Sequence, residues 1–308
     1  MDQQLSKRYV KHISDSVDDS LKYIRDRREG LIKSLRTRWE KFNNIGTGGI
    51  EPNVIYTIAG ISGSGKSAFA NMLESDIIDL NPNEDVVVLS FSFEMLSSKQ
   101  VDRKISKKLR RTTKSLYSVG NPLTDFDYEC IKNSADTFRK YPIYYVDAAL
   151  TVGQISEIIR EFQQTIAKDK WLVVMLDHML LLKGSGEESE RIVISDMEKE
   201  FIDLKKIGKT TIIQISQMNR EIEKSERINN RQSHYPMRSD ISTSDTVYQA
   251  SDYVIVIHRP ETLNITEYGP ERIPTKDAVF LHIIKNREGE LKILKFKNEL
   301  QFNTLLDE

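Results

Sequence analysis

Gly60-Ile61-Ser62-Gly63-Ser64-Gly65-Lys66-Ser67 is a complete G-x-x-x-x-G-K-[ST] motif, and its reading decides the fold. An apolar run, Val54-Ile55-Tyr56-Thr57-Ile58-Ala59, leads into it, and a helix-like segment, 68–80, follows. That strand–loop–helix setting separates a phosphate loop from an ordinary glycine-rich surface turn. Glycines let the backbone through Gly60, Ser62, Gly63, Ser64 and Gly65 curl until its N–H groups face phosphate oxygens. A helix starting near Lys66 adds roughly half a positive charge at its N-terminus. Lys66 is expected to reach the β- and γ-phosphates and the Ser67 hydroxyl to hold Mg²⁺. The expected ligand is a nucleoside triphosphate, taken as ATP, with Mg²⁺.

Outward from the motif, apolar β-branched runs alternate with helical segments. Strands are expected over 54–59, 86–91, 143–146, 171–176, 211–215 and 253–257, with helices over 68–80, 152–167 and 190–207. The near-continuous apolar character of several runs implies strands covered on both faces. The fold class is therefore α/β, a mostly parallel central sheet flanked by helices. Runs 279–284 and 291–296 read as a terminal hairpin turned by Asn286-Arg287-Glu288-Gly289. Ahead of the motif, Val17, Leu21, Ile24, Leu31, Leu35, Trp39 and Phe42 recur at helical spacing, with Ser16 and Asp19 as a loose capping box and Gly30 as a divider. This gives an N-terminal helical segment over 1–47 and an ATPase domain over 48–308. The polar stretch 221–239 reads as a mobile functional loop.

Charged residues make up 30 % of the 308 and hydrophobic ones 39 %, a balance suited to a soluble core-forming protein. A formal net charge of −1 excludes a polybasic protein, so any nucleic-acid contact must come from local patches. The single cysteine, Cys130, forms no internal disulfide, which fits the cytoplasm, and reads as structural rather than catalytic. The first ten residues are too polar for a signal peptide. The longest apolar stretch, 171–182, is interrupted by Asp177 and His178 and is too short for a bilayer.

Hydrolysis needs a metal holder and a group to position water. Asp177 closes an apolar strand, where a carboxylate lies beside the phosphate loop and can hold hydrated Mg²⁺. Glu94 follows the run 86–93 and is placed to act as general base. Gln217 ends the strand 211–216, where a γ-phosphate can be sensed, though on spacing alone it is equally an ordinary loop amide.

Together these pieces resemble the DnaB-type replicative helicases. Phe91-Ser92-Phe93-Glu94-Met95 is similar to their F-S-L-E-M signature, Asp177-His178-Met179-Leu180-Leu181 to D-Y-L-Q-L, and Ser216-Gln217-Met218-Asn219-Arg220 to S-Q-L-N-R. Met237-Arg238-Ser239-Asp240-Ile241, followed by Gln249, Ser251 and Asp252, resembles M-S-D-L…E-Q-D-A-D, and Ile284-Lys285-Asn286-Arg287-Glu288-Gly289 their K-Q-R-N-G end. Order and spacing hold from about residue 48 to 296, the whole RecA-like motor. The resemblance implies Glu94 as catalytic base and Gln217 as γ-phosphate sensor. It also implies Lys285 and Arg287 as a lysine and an arginine finger acting on the neighbouring subunit's nucleotide. It implies a homo-oligomeric ring, in all expectation a hexamer, moving on single-stranded DNA, with a primase or helicase loader as further partners.

Departures from the family pattern are His178 for the usual Tyr, Leu180 for Gln, and Ser242, Thr243 and Asp245 for Arg, Glu and Gly in the DNA-contacting loop. The family's helical primase-binding domain has no counterpart, and the segment up to Phe42 looks like the linker helix that docks on an adjacent protomer. A trimmed form of this kind is typical of a phage or mobile element. Among the basic residues, Lys99, Arg103, Lys104, Lys107, Lys108, Arg110 and Arg111 read as a solvated helix face. Arg220, Lys224, Arg227, Arg231 and Arg238, with Ser242, are the candidates for sequence-independent phosphate contact. The loop 183–188 would be the companion pore loop. Two other readings stay open: a RecA-like recombinase, and a nucleotide-gated DNA-binding scaffold without unwinding.

Overall fold

The apolar runs become central strands because helices cover both of their faces. The computed structural model describes residues 10–184, 186, 188–242 and 244–308. Its strands are β1 Ile55–Gly60, β2 Val86–Ser92, β3 Ile143–Val146, β4 Trp171–Asp177, β5 Lys209–Gln217, β6 Tyr253–His258, β7 Glu267–Tyr268, β8 Ile273–Pro274, β9 Ala278–Asn286, β10 Lys292–Glu299 and β11 Thr304–Asp307. One sheet runs β11-β10-β9-β6-β1-β5-β4-β2-β3, and β7 pairs only with β8. From β6 to β3 every pairing is parallel, while β9, β10 and β11 are added antiparallel.

The helices are α1 Ile13–Arg28, α2 Glu40–Asn43, α3 Lys66–Asp79, α4 Ser97–Leu109, α5 Asp125–Phe138, α6 Val152–Gln164, α7 Glu190–Leu204, α8 Ser225–Ile228 and α9 Ser244–Ala250. Side chains alternate across β1: Tyr56 and Ile58 join a core with Phe69, Met72 and Leu73 of α3. Ile55 and Ala59 join a second core with Ile155 and Ile159 of α6, Met197 and Phe201 of α7, and Val247 of α9. Parallel strands with the phosphate loop at the carboxyl end of β1 put the candidate site at that edge of the sheet.

The N-terminal stripe does not stay on one helix. The helix begins at Ile13, capped by His12 whose ring accepts from the Ser14 N–H, so Ser16 and Asp19 lie inside it. It ends at Arg28, and Gly30 follows at φ +72°, a left-handed turn that glycine takes without strain. Beyond that turn Leu35 pairs with Ile50 as an isolated bridge. Trp39, 1 % exposed, stacks on Phe69 at 4.8 Å, and its Nε1 donates to the Leu305 carbonyl at 2.9 Å. Leu35, Trp39 and Phe42 are thus part of the main core, whereas Ile13, Val17, Leu21, Ile24 and Leu31 stay exposed. A helical period continues in the sequence across a break that tertiary packing imposes. The stretch 221–239 is also no plain loop: short helical turns there bury Ile222 and His234.

A polar chain crosses the second core. Gln214 of β5 donates its amide to Thr57 of β1 at 2.9 Å and to Glu198 of α7 at 2.7 Å, and Glu198 Oε2 finds no partner among the described residues. Burial pushes the Glu198 carboxyl up to about 8, with the Gln214 amide and the Lys285 charge opposing it only in part. The folded protein therefore holds a proton that the unfolded chain releases near the ordinary Glu value. Stability should fall as pH rises from that value to about 8, by about 1.4 kcal/mol per pH unit. Glu198→Gln should leave the melting temperature at pH 5 close to wild type and raise it at pH 8. Parallel melting curves for the two proteins across this range would show instead that the carboxyl is ionised when folded.

Candidate nucleotide site

Gly60, Gly65 and Lys66 of the phosphate loop each have a steric or electrostatic reason to be what they are. A Cβ on Gly60 would lie 2.4 Å from Ser64 Oγ and 2.6 Å from the Ile257 carbonyl, so only glycine lets the loop fold against β6. Gly65 sits at φ +103° as the N-cap of α3 with no side-chain cap, leaving the first N–H groups of the helix free for an anion. Lys66 is 8 % exposed and folds back so that Nζ donates to the Gly60 and Ile61 carbonyls, both at 2.8 Å. Burial lowers its pKa from the ordinary Lys value, and the charges of Asp177 and Glu94 oppose that shift. A phosphate offers this ammonium a stronger acceptor than two carbonyls.

Register brings the other expected groups to the loop. Gly60 lies opposite Gln217 on β5, and Ser92 opposite Asp177 on β4. Phe93 N–H donates to the Asp177 carbonyl at 2.8 Å, Ser92 Oγ to the Met95 carbonyl at 2.6 Å, and Gln100 Nε2 to Ser92 Oγ at 3.1 Å, so the turn carrying Glu94 is stitched to β4 and α4. A cleft of about 320 Å³ results, lined by Ser62, Lys66, Ser67, Glu94, His178 and Gln217 among others. Burial raises the Asp177 carboxyl, Ser67, hydrogen-bonded to it, opposes that rise, and Glu94 adds to it. Asp177 Oδ1 has no hydrogen-bond partner among the described residues. A buried orphan carboxylate oxygen beside a serine hydroxyl is the donor set that a hard divalent cation such as Mg²⁺ takes.

Two arginines in this cleft escape sequence reading. Arg103 of α4 lines it with Nη1 unpartnered among the described residues, and burial lowers its pKa against the pull of Asp177 and Glu94. Arg259, just after β6, donates to the Gly63 carbonyl at 3.2 Å and leaves Nε without a partner among the described residues. Arg103 is hidden in a basic run that the structure divides. Lys104 is buried against Glu74 at 2.5 Å, Arg110 pairs with Glu299 at 2.8 Å and Arg111 with Asp127 at 2.6 Å. The solvated-face reading of that run is corrected accordingly. Its usable signal is the helical spacing of α4, on which Arg103 and Gln100 share the face turned to the site.

Lys285 and Arg287 lie far from this cleft, at the end of β9 that pairs with the start of β6. Lys285 Nζ donates to the Tyr248 and Gln249 carbonyls at 2.5 and 3.1 Å. Arg287 donates to the Gln249 carbonyl at 3.0 Å and lies 3.3 Å from Asp252. Burial lowers the Lys285 pKa, as does the Arg287 charge.

β5 runs directly into the basic segment: the Gln217 carbonyl accepts from Ser242 N–H at 2.8 Å, and Met218 bridges Ile241. Arg220 is exposed and unpaired among the described residues. Lys224, Arg231 and Arg238 each pair with an exposed carboxylate, Glu221, Glu267 and Asp245 respectively. Arg227 differs. Its guanidinium holds Asp240, 1 % exposed, and the Ser233 and Tyr235 carbonyls, so it braces the segment from within rather than facing solvent. Of the expected pore loop 183–188, Ser185 and Glu187 lie outside the described residues, as does Thr243. A larger groove of about 790 Å³ lies between α1 and the end of α3, lined by Tyr23, Ile24, Leu80 and Pro82, remote from the phosphate loop.

The family model for the DnaB-like helicase C terminal domain matches residues 34–307. The chain belongs to this family. The match takes in both the phosphate loop and the β9 end that carries Lys285 and Arg287, and it begins just ahead of Leu35, where the chain enters the core. Among curated relatives, the replicative DNA helicase DnaB of Pasteurella multocida is 25 % identical over 83 % of this DnaB-like chain and 52 % of its own length. The replicative DNA helicase DnaC of Bacillus subtilis is 23 % identical over 97 % and 62 %. The DnaB-like chain thus spans about half to three-fifths of the length of these two relatives. Its fold is that of a solved ATPase domain, with a TM-score of 0.78 at 20 % identity over 95 % of this chain and 98 % of that one. A solved DnaB-like replicative helicase, described with its interactions with primase, gives a TM-score of 0.75 at 20 % identity over 94 % and 66 %. Among the described residues of this DnaB-like domain, no helix is long and apolar enough to cross a membrane.

Proposed function

We propose that this chain is the ATP-driven motor of a ring-forming replicative DNA helicase, moving on single-stranded DNA in the cytoplasm. One juxtaposition carries the reading. Lys66, Ser67, Glu94, Asp177 and Gln217 meet at the carboxyl edge of the parallel strands, while Lys285 and Arg287 sit at the opposite end of β6. A nucleotide completed by both sets lies between two copies of the chain. The loop N–H groups and Lys66 would hold the phosphates, and Ser67 and Asp177 would hold Mg²⁺, which supplies positive charge against them. Glu94 takes the proton of the attacking water, and Gln217 reads the γ-phosphate. Lys285 and Arg287 of a neighbouring copy stabilise the transition-state charge.

Within the division into 1–47 and 48–308, docking on the neighbour falls to α1, whose apolar residues are exposed. Six copies, a primase and a loader complete the assembly implied by the family. DNA phosphates would meet Arg220, Lys224, Arg231, Arg238 and Ser242. The three paired cations stay available, because exposed ion pairs are worth about 0–1 kcal/mol and a phosphate can displace the carboxylate.

ATP turnover measured with and without oligo-dT, followed by unwinding of a forked duplex, tests the reading. DNA-stimulated turnover with strand separation is expected. Stimulation without unwinding would point to a recombinase, and turnover indifferent to DNA to a nucleotide-gated scaffold. Arg220→Ala should weaken oligo-dT binding regardless of base sequence and lower the slope of log K against log salt by about 0.7, the loss of one phosphate contact. An unchanged slope would remove Arg220 from the DNA surface.

A further inference from the structure

We propose that His178 is a positioning residue for Gln217, holding the sensor amide with its NH₂ edge turned to the nucleotide; this rests on the nucleotide-site reading above. Leu180 N–H donates to His178 Nδ1 at 3.2 Å. A backbone N–H can only donate, so Nδ1 must carry the lone pair, and the neutral ring then bears its hydrogen on Nε2. Nε2 lies 3.2 Å from Gln217 Oε1, so the ring donates and the amide oxygen accepts. The two hydrogens of the Gln217 amide are then left without a partner among the described residues, in the same cleft as Lys66 and Glu94. A γ-phosphate oxygen only accepts hydrogen bonds. An amide turned NH₂-first therefore attracts it, and one turned oxygen-first repels it. Without the ring, both orientations of the amide become accessible.

The position has wider reach, because it joins two strand ends. His178 follows Asp177 at the end of β4, Gln217 ends β5, and the Gln217 carbonyl is tied to Ser242 in the basic segment. His178, 9 % exposed, is clamped by its own backbone contact and cannot follow a moving Gln217 far. It is therefore a fixed reference against which the sensor reads the phosphate. The tyrosine expected here by family resemblance also presents a hydroxyl donor, so the replacement keeps the donor while changing its reach.

Two measurements on the full chain test this. The first uses ¹⁵N-histidine labelling and long-range ¹H–¹⁵N correlation, with the His178 ring assigned by its loss in His178→Phe. The Nε2–H tautomer is expected, with its Nε2 signal moved in Gln217→Ala. An Nδ1–H tautomer overturns the proposal whether or not the chain hydrolyses ATP. The second is a double-mutant cycle on turnover. His178→Phe should lower kcat about tenfold, the effect of one well-placed hydrogen bond, with the affinity for a non-hydrolysable ATP analogue within about threefold. The same substitution in a Gln217→Ala background should change kcat less than about twofold. His178→Gln, which restores a donor, should recover most of the loss and guards against a folding defect in the Phe variant. Full additivity of the two single losses would overturn the proposal. Absence of turnover in the wild type would count against the nucleotide-site reading and leave the tautomer result to decide this one.

Discussion

Arg287→Ala chains are expected to hydrolyse ATP about 10³–10⁵-fold more slowly than wild type, and to poison wild-type chains when mixed with them. The geometry sets this expectation. Asn286 pairs with Tyr253 at the start of β6, and Tyr253 pairs with Tyr56 of β1. From Tyr56 to Gly60 the strand advances by roughly 13 Å at about 3.3 Å per residue, and Arg287 lies two strands to the side as well. Its guanidinium, tied to the Gln249 carbonyl, has no path to the phosphate loop of its own chain. Beyond Asp252 of its own chain, any phosphate charge it stabilises would have to belong to another copy. Stability should change little, because the side chain is 52 % exposed and the buried Asp252 keeps Lys205 and the Ile55 N–H as partners. Titrating the variant into wild type while following turnover gives the decision. Activity that falls in strict proportion to the wild-type fraction would mean that each chain works alone, and wild-type activity of the pure variant would remove Arg287 from catalysis.

Glu94→Gln should retain nucleotide binding and lose turnover by about 10²–10⁴-fold, the range for removing a general base. Glu94 is exposed at the mouth of the cleft, and no described residue bonds to its carboxylate. It is therefore free to take a proton from water. The amide is nearly the same shape but cannot accept that proton. Binding of a fluorescent ATP analogue near wild-type strength, with single-turnover hydrolysis all but abolished, is the expected pair of results. Turnover within a few-fold of wild type would transfer the role of base to another group.

These two residues illustrate what can be read in advance. The strand ending in Asp177, the strand ending in Gln217 and the phosphate loop all lie within ordered, local stretches. Each falls within a residue or two of its expected place, and the mostly parallel sheet follows from their apolar character. The helices α4, α5 and α9 give no such warning. α4 buries Gln100, Lys104 and Ser106 beside Ile105, and α5 buries only Ser134, so neither shows the apolar stripe that marks a helix. The N-terminal stripe misleads for the opposite reason: it continues past Gly30 at helical spacing although the chain there turns into the core. Arg103 and Arg227 both read as surface cations along the chain. One faces the nucleotide cleft and the other braces a segment through Asp240, and nothing next to them in the chain announces either partner.

What the amino-acid order determined is the candidate phosphate cradle: a conformation spread over consecutive residues, whose glycines and helix start turn backbone N–H groups toward an anion, with β6 and Arg259 packed against it. Tertiary structure alone decided which cations are free and which are bound, and which edge of the sheet Lys285 and Arg287 occupy. Coulomb attraction depends on distance in space, and a carboxylate brought alongside by folding can stand far off along the chain.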